Sequence, residues 1–250
     1  MKPRALVLRT AGTNCEAETA YAFEIVGVET RTVHITELIK NPKMLHDFRF
    51  LAIPGGFSYG DDVASGRIFA NELMGALGHE LTSFVDSGGY AIGICNGFQV
   101  LVKAGLLPRL NKETKQVVTL THNISGNYED RWVRCQAPPS RCAWIPEDCP
   151  ELELPVAHAE GRFTASAAVL DQLETEQLVA LRYASSDNFN GSDRAIAGIC
   201  DPSGRVLGLM PHPERFLRFE NHPRWTRLAK QREGQGVLLF RAAVHHAKEN

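Results

Sequence analysis

Along the first hundred residues, short runs that are apolar on both faces alternate with stretches of helical spacing. Residues 5–8 (Ala-Leu-Val-Leu) and 50–53 (Phe-Leu-Ala-Ile) are apolar throughout, as central parallel strands are. Residues 30–35 alternate β-branched positions with others and read as a strand between these two. Ala17, Ala20, Tyr21 and Phe23 recur with helical spacing up to Gly27, and Thr13 with Glu16 fits a capping box at the start of that helix. Phe69, Leu73, Ala76, Leu77, Leu81 and Phe84 mark a long amphipathic helix that stops before Gly88-Gly89. This alternation predicts an α/β fold with a mostly parallel central sheet flanked by helices on both faces. The second half reads differently. Strand-like runs at 117–120, 132–133, 156–162, 178–181, 195–199 and 205–210 predict extra β-structure rather than a second helical array. Pro138, Pro139, Pro146, Pro150 and Pro155 mark an irregular insertion, not a boundary, so residues 1–250 read as a single domain.

Composition narrows the function classes mainly by exclusion. A net charge of −2 gives no global reason to bind nucleic acid or an anionic membrane. No apolar run approaches the ~18–20 residues of a membrane span, and Lys2-Pro3-Arg4 leads straight into the first strand, so the chain reads as cytoplasmic. Six cysteines in a chain of this size do not make a secreted disulfide framework. Cys135, Cys142 and Cys149 recur every seven residues, wider than the close pairs of structural zinc, and read as free thiols on an irregular segment. The glycines do not build a phosphate loop: Gly88 and Gly93 have the spacing, but Ile94 stands where a lysine is needed. We therefore expect no metal and no nucleotide on this chain.

One stretch concentrates chemistry. In Gly93-Ile94-Cys95-Asn96-Gly97-Phe98-Gln99 an apolar strand stops at one cysteine between two glycines, and a helix of two to three turns follows. A strand-to-helix turn this tight strains its central residue and crowds both neighbours, which suits a nucleophile elbow. The side chain of Cys95 is then held at a helix N-terminus, where positive potential favours a thiolate. A small apolar residue in a Gly-punctuated core fits the same spacing. Gln99 argues against that reading, because one helical turn on it faces the thiol's side and offers an amide to a polar substrate. The Asn96 backbone N–H is placed to meet an oxyanion. Cys15, without flanking glycines, is the rival nucleophile.

Two further segments complete such a site. Pro54-Gly55-Gly56-Phe57-Ser58-Tyr59-Gly60-Asp61-Asp62 follows the strand at 50–53, and ligands in parallel sheets collect at the carboxyl ends of strands. With no Cβ, Gly56 brings a backbone N–H close to developing negative charge. In Met210-Pro211-His212-Pro213-Glu214-Arg215 the prolines favour extended backbone, which puts His212 and Glu214 on one side. A general base held by a carboxylate is what a cysteine nucleophile needs. His158, two residues before Glu160, is the rival base.

These residues carry a resemblance. The Gly-Ile-Cys-Asn-Gly-Phe-Gln elbow, the Pro-Gly-Gly loop and the late His-Pro-Glu are similar to those of class I (triad) glutamine amidotransferases. Arg9…Gly12-Thr13-Asn14-Cys15, Gly55-Gly56-Phe57-Ser58-Tyr59-Gly60-Asp61, His158-Ala159-Glu160-Gly161-Arg162 and Met210-Pro211-His212-Pro213-Glu214-Arg215 resemble, more closely, the glutaminase subunits of phosphoribosylformylglycinamidine (FGAM) synthase. The resemblance implies a flavodoxin-like fold and hydrolysis of L-glutamine to glutamate and ammonia. It further implies delivery of that ammonia to a synthetase subunit, which holds ATP and Mg for the conversion of FGAR to FGAM in purine biosynthesis, with a small bridging subunit as a further partner. Carried over by motif, Cys95 is nucleophile, His212 base and then acid, and Glu214 its orienter. Gly56 and Asn96 give the oxyanion donors, and Gln99 binds substrate, with Asn123 and Ser125 as further glutamine-binding candidates. Asp187-Asn188-Phe189-Asn190-Gly191-Ser192 departs from the family's loop by Phe189 in place of proline. An amidotransferase serving another acceptor and a non-catalytic or redox-sensing elbow cysteine are the competing readings; the Phe-Ser-Tyr-Gly-Asp loop disfavours the former, and His212-Pro213-Glu214 with Gln99 the latter.

Two expectations concern partners. The tail interleaves Arg215, Arg218, Arg224, Arg227, Lys230 and Arg232 with Phe216, Phe219 and Trp225, and reads as a protein docking surface rather than a nucleic-acid patch. The isolated chain is expected to be a poor glutaminase, with the Gly55-Gly56 peptide as the switch that docking sets.

Overall fold

The computed structural model describes residues 2–62 and 64–249. Strands β1 (Arg4–Arg9), β2 (Glu29–His34), β3 (Phe50–Ile53) and β4 (Tyr90–Ile94) join β11 (Val206–Leu209) in a parallel half-sheet ordered β2-β1-β3-β4-β11. The sheet continues antiparallel through β10 (Ile196–Cys200), β9 (Val179–Tyr183), β6 (Glu129–Gln136) and β7 (Leu152–His158). A separate antiparallel ribbon pairs β5 (Val118–His122) with β8 (Glu160–Ala165). The extra β-structure of the second half thus extends the parallel sheet from its β11 edge.

Helices α1 (Glu16–Glu24), α2 (Ile35–Lys40), α3 (Arg67–Asp86), α4 (Asn96–Lys103), α5 (Ala167–Thr175) and α6 (Val237–Glu249) complete the fold. Two layers flank the parallel strands. On one face Phe23 of α1, Phe240 of α6, Trp144 and Phe50 of β3 form a cluster of tilted and edge-to-face rings with centroids 5.1–6.3 Å apart. Ile53, three residues from Phe50 and so on the opposite face, meets Gly97 of α4. Such aromatic clusters bury large areas and prefer this tilted packing. Among the described residues no helix is long and apolar enough to cross a membrane.

Several sequence expectations need correction. The capping box does not form: Oγ1 of Thr13 accepts from the Thr10 N–H at 3.1 Å, and Cys15 is the N-cap of α1. Thr13 is instead drawn into a bridge with Gly56, so the chain turns helical two residues later. Ile35 opens α2 rather than closing β2, because the His34 ring caps that helix by accepting from the Thr36 N–H at 3.3 Å. Helices α5 and α6 were hidden within the half read as β-rich. Pro155 lies inside β7, which pairs only with β6 and, as an edge strand, tolerates a residue without an N–H. Cys135 belongs to β6, not to an irregular segment. All six cysteines are free.

Candidate active site

Cys95 follows β4 and caps α4 with φ 51° and ψ −105°, a conformation that L-residues adopt only under constraint. The constraint is packing. A Cβ on Gly97 would stand 1.8 Å from the Ile53 carbonyl oxygen, and one on Gly93 2.5 Å from the Gly97 carbonyl oxygen. Only glycines allow α4 to press this closely on the strands. The Cys95 N–H donates to the Leu209 carbonyl at 2.8 Å and its carbonyl accepts from the Gln99 N–H at 3.1 Å, so the turn is pinned on both sides. Its thiol is buried and lies 3.7 Å from the carbonyl oxygen of Ala157.

His212 follows β11, and its N–H donates to the Pro155 carbonyl at 2.8 Å. Nδ1 of His212 lies 2.6 Å from Oε1 of Glu214, with 2 % and 1 % of the two residues exposed. The pairing matches the sequence reading, but the backbone does not. His212 is near-extended (φ −105°, ψ 85°), whereas Pro213–Arg215 close a 3₁₀ turn that brings the carboxylate back under the ring. Burial alone disfavours a charged ring. Glu214, Cys95 and Cys15 outweigh it, so the His212 imidazolium is held well above its ordinary pKa range. Nε2 of His212 and Oε2 of Glu214 are buried without a hydrogen-bond partner among the described residues.

The Gly-rich loop is fastened to the β1–α1 turn. The Gly55 carbonyl accepts from the N–H groups of Asn14 and Cys15 at 3.4 and 3.3 Å, and the Phe57 N–H donates to the Gly12 carbonyl at 2.9 Å. Gly56 between them has φ 144°, and a Cβ there would meet the Gly12 oxygen at 2.7 Å. The Gly55-Gly56 peptide is therefore not a free rotor: turning it sacrifices both bonds to the N-terminus of α1.

The amide of Gln99 is oriented by its neighbours. Its Oε1 accepts from Nδ2 of Asn96 at 3.0 Å and its Nε2 donates to the Glu160 carbonyl. Asn96 Nδ2 also reaches Oδ1 of Asp61 at 3.3 Å, and its Oδ1 takes the Ser58 N–H at 3.2 Å. Burial raises the Asp61 carboxyl above its usual range, opposed by hydrogen bonds from Ser65 and the Gly66 N–H. One amide hydrogen and one lone pair of Gln99 stay available. Asp61 was not singled out by the sequence reading as a site residue, although it lies in the loop that was.

Asn123 and Ser125 behave differently from the substrate-binding reading. The Asn123 side chain is buried and fully used: Nδ2 donates to the carbonyls of Asn127 and His158 at 3.0 and 2.8 Å, and Oδ1 faces Nδ1 of His158 at 3.1 Å. It holds His158. Ser125 is exposed and its Oγ takes the Asn127 N–H at 3.3 Å. His158 is itself buried, and burial, with repulsion from His212, depresses its pKa to about 3. A ring kept neutral and gripped by Asn123 is a poor rival to His212. Phe189 packs on Tyr183 and His158 at 5.7 and 5.5 Å, which gives its loop a shape without proline.

Cys15 is nearer the site than sequence suggested. Its sulfur, a ring nitrogen of His212 and a carboxylate oxygen of Glu214 lie within 4.8 Å of one another, a donor set that could hold a metal ion. Arg215 fits that role poorly, since its Nη2 stands 3.0 Å from the same sulfur and brings a fixed positive charge where a cation would bind. The aromatic rings of Phe57, next to Gly56 in the Gly-rich loop, and Tyr128 stack at 6.3 Å, and both are exposed.

The model of the CobB/CobQ-like glutamine amidotransferase domain matches residues 2–247. The PurQ subunit of phosphoribosylformylglycinamidine synthase from Dehalococcoides mccartyi is 45% identical over 99% of this chain and 99% of its own length. The PurQ subunit from Treponema denticola is 42% identical over 98% and 99%. Among solved structures, PurLQS from Thermotoga maritima superposes with a TM-score of 0.78 at 31% identity, covering 98% of this chain and 99% of the matched one. With an elbow cysteine, a buried His–Glu pair and these matches along its length, the chain belongs to the class I glutamine amidotransferases, in the family of PurQ glutaminase subunits of phosphoribosylformylglycinamidine synthase.

Proposed function

We propose that residues 1–250 act as one glutaminase unit in which Cys95, His212 and Glu214 hydrolyse the side-chain amide of L-glutamine. The observation that carries this is the buried 2.6 Å contact between His212 and Glu214, beside a cysteine held at φ 51°. Sγ of Cys95, its proton already passed to His212, attacks the amide carbon. The N–H groups of Gly56 and Asn96 meet the resulting oxyanion; losing one such donor costs about 10²–10³ in rate. His212 returns the proton to the departing nitrogen, the C–N bond breaks, and ammonia leaves a γ-glutamyl thioester. Water then attacks the thioester, its proton goes to His212, and the C–S bond breaks to give glutamate and the free thiol. Glu214 supports the ring's orientation and its positive charge. Gln99 offers its remaining amide hydrogen and lone pair to the substrate, with Ser125 at the rim and Asn123 acting through His158.

The similarity to PurLQS supports an assembly with a synthetase and a small third subunit. We place ATP and Mg on the synthetase, expect no cofactor on this chain, and place the complex in the cytoplasm. Free hydrolysis would waste glutamine, so the isolated chain should be a weak glutaminase. Because Gly55 is anchored to α1, docking would act on the loop and the β1–α1 turn together rather than on one peptide. His212→Ala and Glu214→Gln, assayed for glutamate release in the assembled complex, test the assignment. The former should lose ~10³-fold or more in kcat and the latter less, since orientation is only part of the base's role. Full turnover by His212→Ala would mean another base.

A further inference from the structure

The proposed chemistry does not use Cys15, yet its backbone and its sulfur are both built into the site. Its N–H holds the Gly55 carbonyl at 3.3 Å, and its carbonyl accepts from the N–H and the hydroxyl of Thr19 at 3.1 and 2.6 Å. The residue is fully buried, and the same backbone that caps α1 and holds the Gly-rich loop fixes where its sulfur starts. Arg215, next to Glu214 in the 3₁₀ turn, donates to that sulfur at 3.0 Å and has its Nε 3.8 Å from Oε1 of Glu18 in the first turn of α1. A guanidinium bonded to sulfur fixes both partners more firmly than a neutral contact does. The turn that carries His212 and Glu214 is thus tied to the N-terminus of α1 through one sulfur atom.

We propose that Cys15, gripped by Arg215, is a positioning residue that sets the ring of His212 between Glu214 and Cys95; this deepens the reading of His212 as the base. Through the Gly55 carbonyl the same residue links the placement of the base to that of the Gly56 N–H. The groups acting on His212 are Glu214 in its own turn, Cys95 at the elbow and Cys15 at α1; His158 at the end of β7 and Tyr128 feel its charge, and Arg215 is bonded to the Cys15 sulfur. Cys15 favours the protonated ring. Removing it therefore moves the ionisation of His212 to lower pH.

The test is glutaminase kinetics of Cys15→Ala and Cys15→Ser in the complex with the synthetase. Cys15→Ala should lower kcat by ~10-fold or more, as small misplacements of a catalytic group do, and leave KM for glutamine nearly unchanged. The limb of its kcat–pH profile that reports His212 should move to lower pH. Cys15→Ser, which keeps a hydrogen-bonding atom there, should recover most of both. Parental kcat and pH profile in Cys15→Ala would overturn the proposal. If that variant does not fold, Arg215→Gln, which frees the sulfur, should lower kcat by a similar factor at unchanged KM, and a parental kcat there would overturn the proposal. The two readings separate cleanly: His212→Ala inactive with Cys15→Ala parental removes only the positioning role, whereas His212→Ala active removes the base itself.

Discussion

A methyl group on Gly55 would stand 2.8 Å from Cε1 of His212, with Sγ of Cys15 at 3.1 Å on its other side. The ring of His212 is packed directly on the Gly-rich loop, and both neighbours are buried. Gly55→Ala should therefore push His212 out of line and lower kcat by ~10²-fold while the chain stays folded. Steady-state rates and circular dichroism on one preparation check this, and a parental kcat would contradict it. Gly97→Ala should act differently. Its methyl meets backbone at 1.8 Å, so the expected loss is folding stability, by a few kcal/mol or more.

His158 makes acid stability a second measurable consequence. Its pKa is about 3 in the folded chain against 6.5 for an ordinary imidazole. Below pH 6.5 the unfolded chain binds a proton that the native chain refuses, so stability falls as pH drops through the window from 6.5 to about 3. At ~1.4 kcal/mol per pH unit the whole window is worth several kcal/mol at most. The effect of His212 has the opposite sign: its raised pKa contributes stability at low pH that is lost as pH rises through the folded value. Urea unfolding across the window should show a shallower acid loss for His158→Gln than for the parent. Identical slopes would mean that His158 charges freely in the folded state.

The tail offers a third test. Residues 216–235 form irregular backbone with short 3₁₀ turns at Phe219–Asn221 and Trp225–Arg227, and Trp225 and Leu228 are about two-fifths exposed. Beneath it a cavity of about 650 Å3 is lined by Phe216, Phe219, His222 and Leu228. Arg224 is already paired with Glu153 at 2.7 Å, so charge reversal there also disturbs an internal contact. Trp225→Ala with Arg227→Glu is the cleaner variant. It should weaken assembly with the synthetase, read by analytical ultracentrifugation, and leave the glutaminase fold intact. A change in RNA retention alone would sink the docking role.

What sequence revealed and what it hid separate along a physical line. The elbow was legible because the glycines that permit it stand within two residues of Cys95, although what Gly97 packs on, the Ile53 carbonyl, lies far off in sequence. The His212–Glu214 pair was legible because it spans one turn, although the backbone between them coils where extension was expected. Ile35 was misread because a β-branched residue suits a strand, while the cap that starts its helix is a histidine ring. The capping box at Thr13 failed to a partner more than forty residues away, Gly56. Cys15 could be flagged only as a competitor to Cys95. Its contact with Arg215 joins residues 200 positions apart, and nothing local announces it. Asn123 carried the right residue type for binding an amide, but its partner is His158, brought beside it by the ribbon and the end of β7.

The central claim is that Cys95, and not its neighbour Cys15, is the nucleophile. The Cys15 sulfur lies within 4.8 Å of a His212 ring nitrogen while Cys95 stands at the elbow, so an electrophilic glutamine mimic such as a diazo-ketone analogue discriminates between them directly. Peptide mass spectrometry after inactivation should find the label on Cys95 alone, blocked by excess glutamine and absent in Cys95→Ser, with Cys15 unmodified. Label on Cys15, or sustained glutamine turnover by Cys95→Ser, would contradict the account.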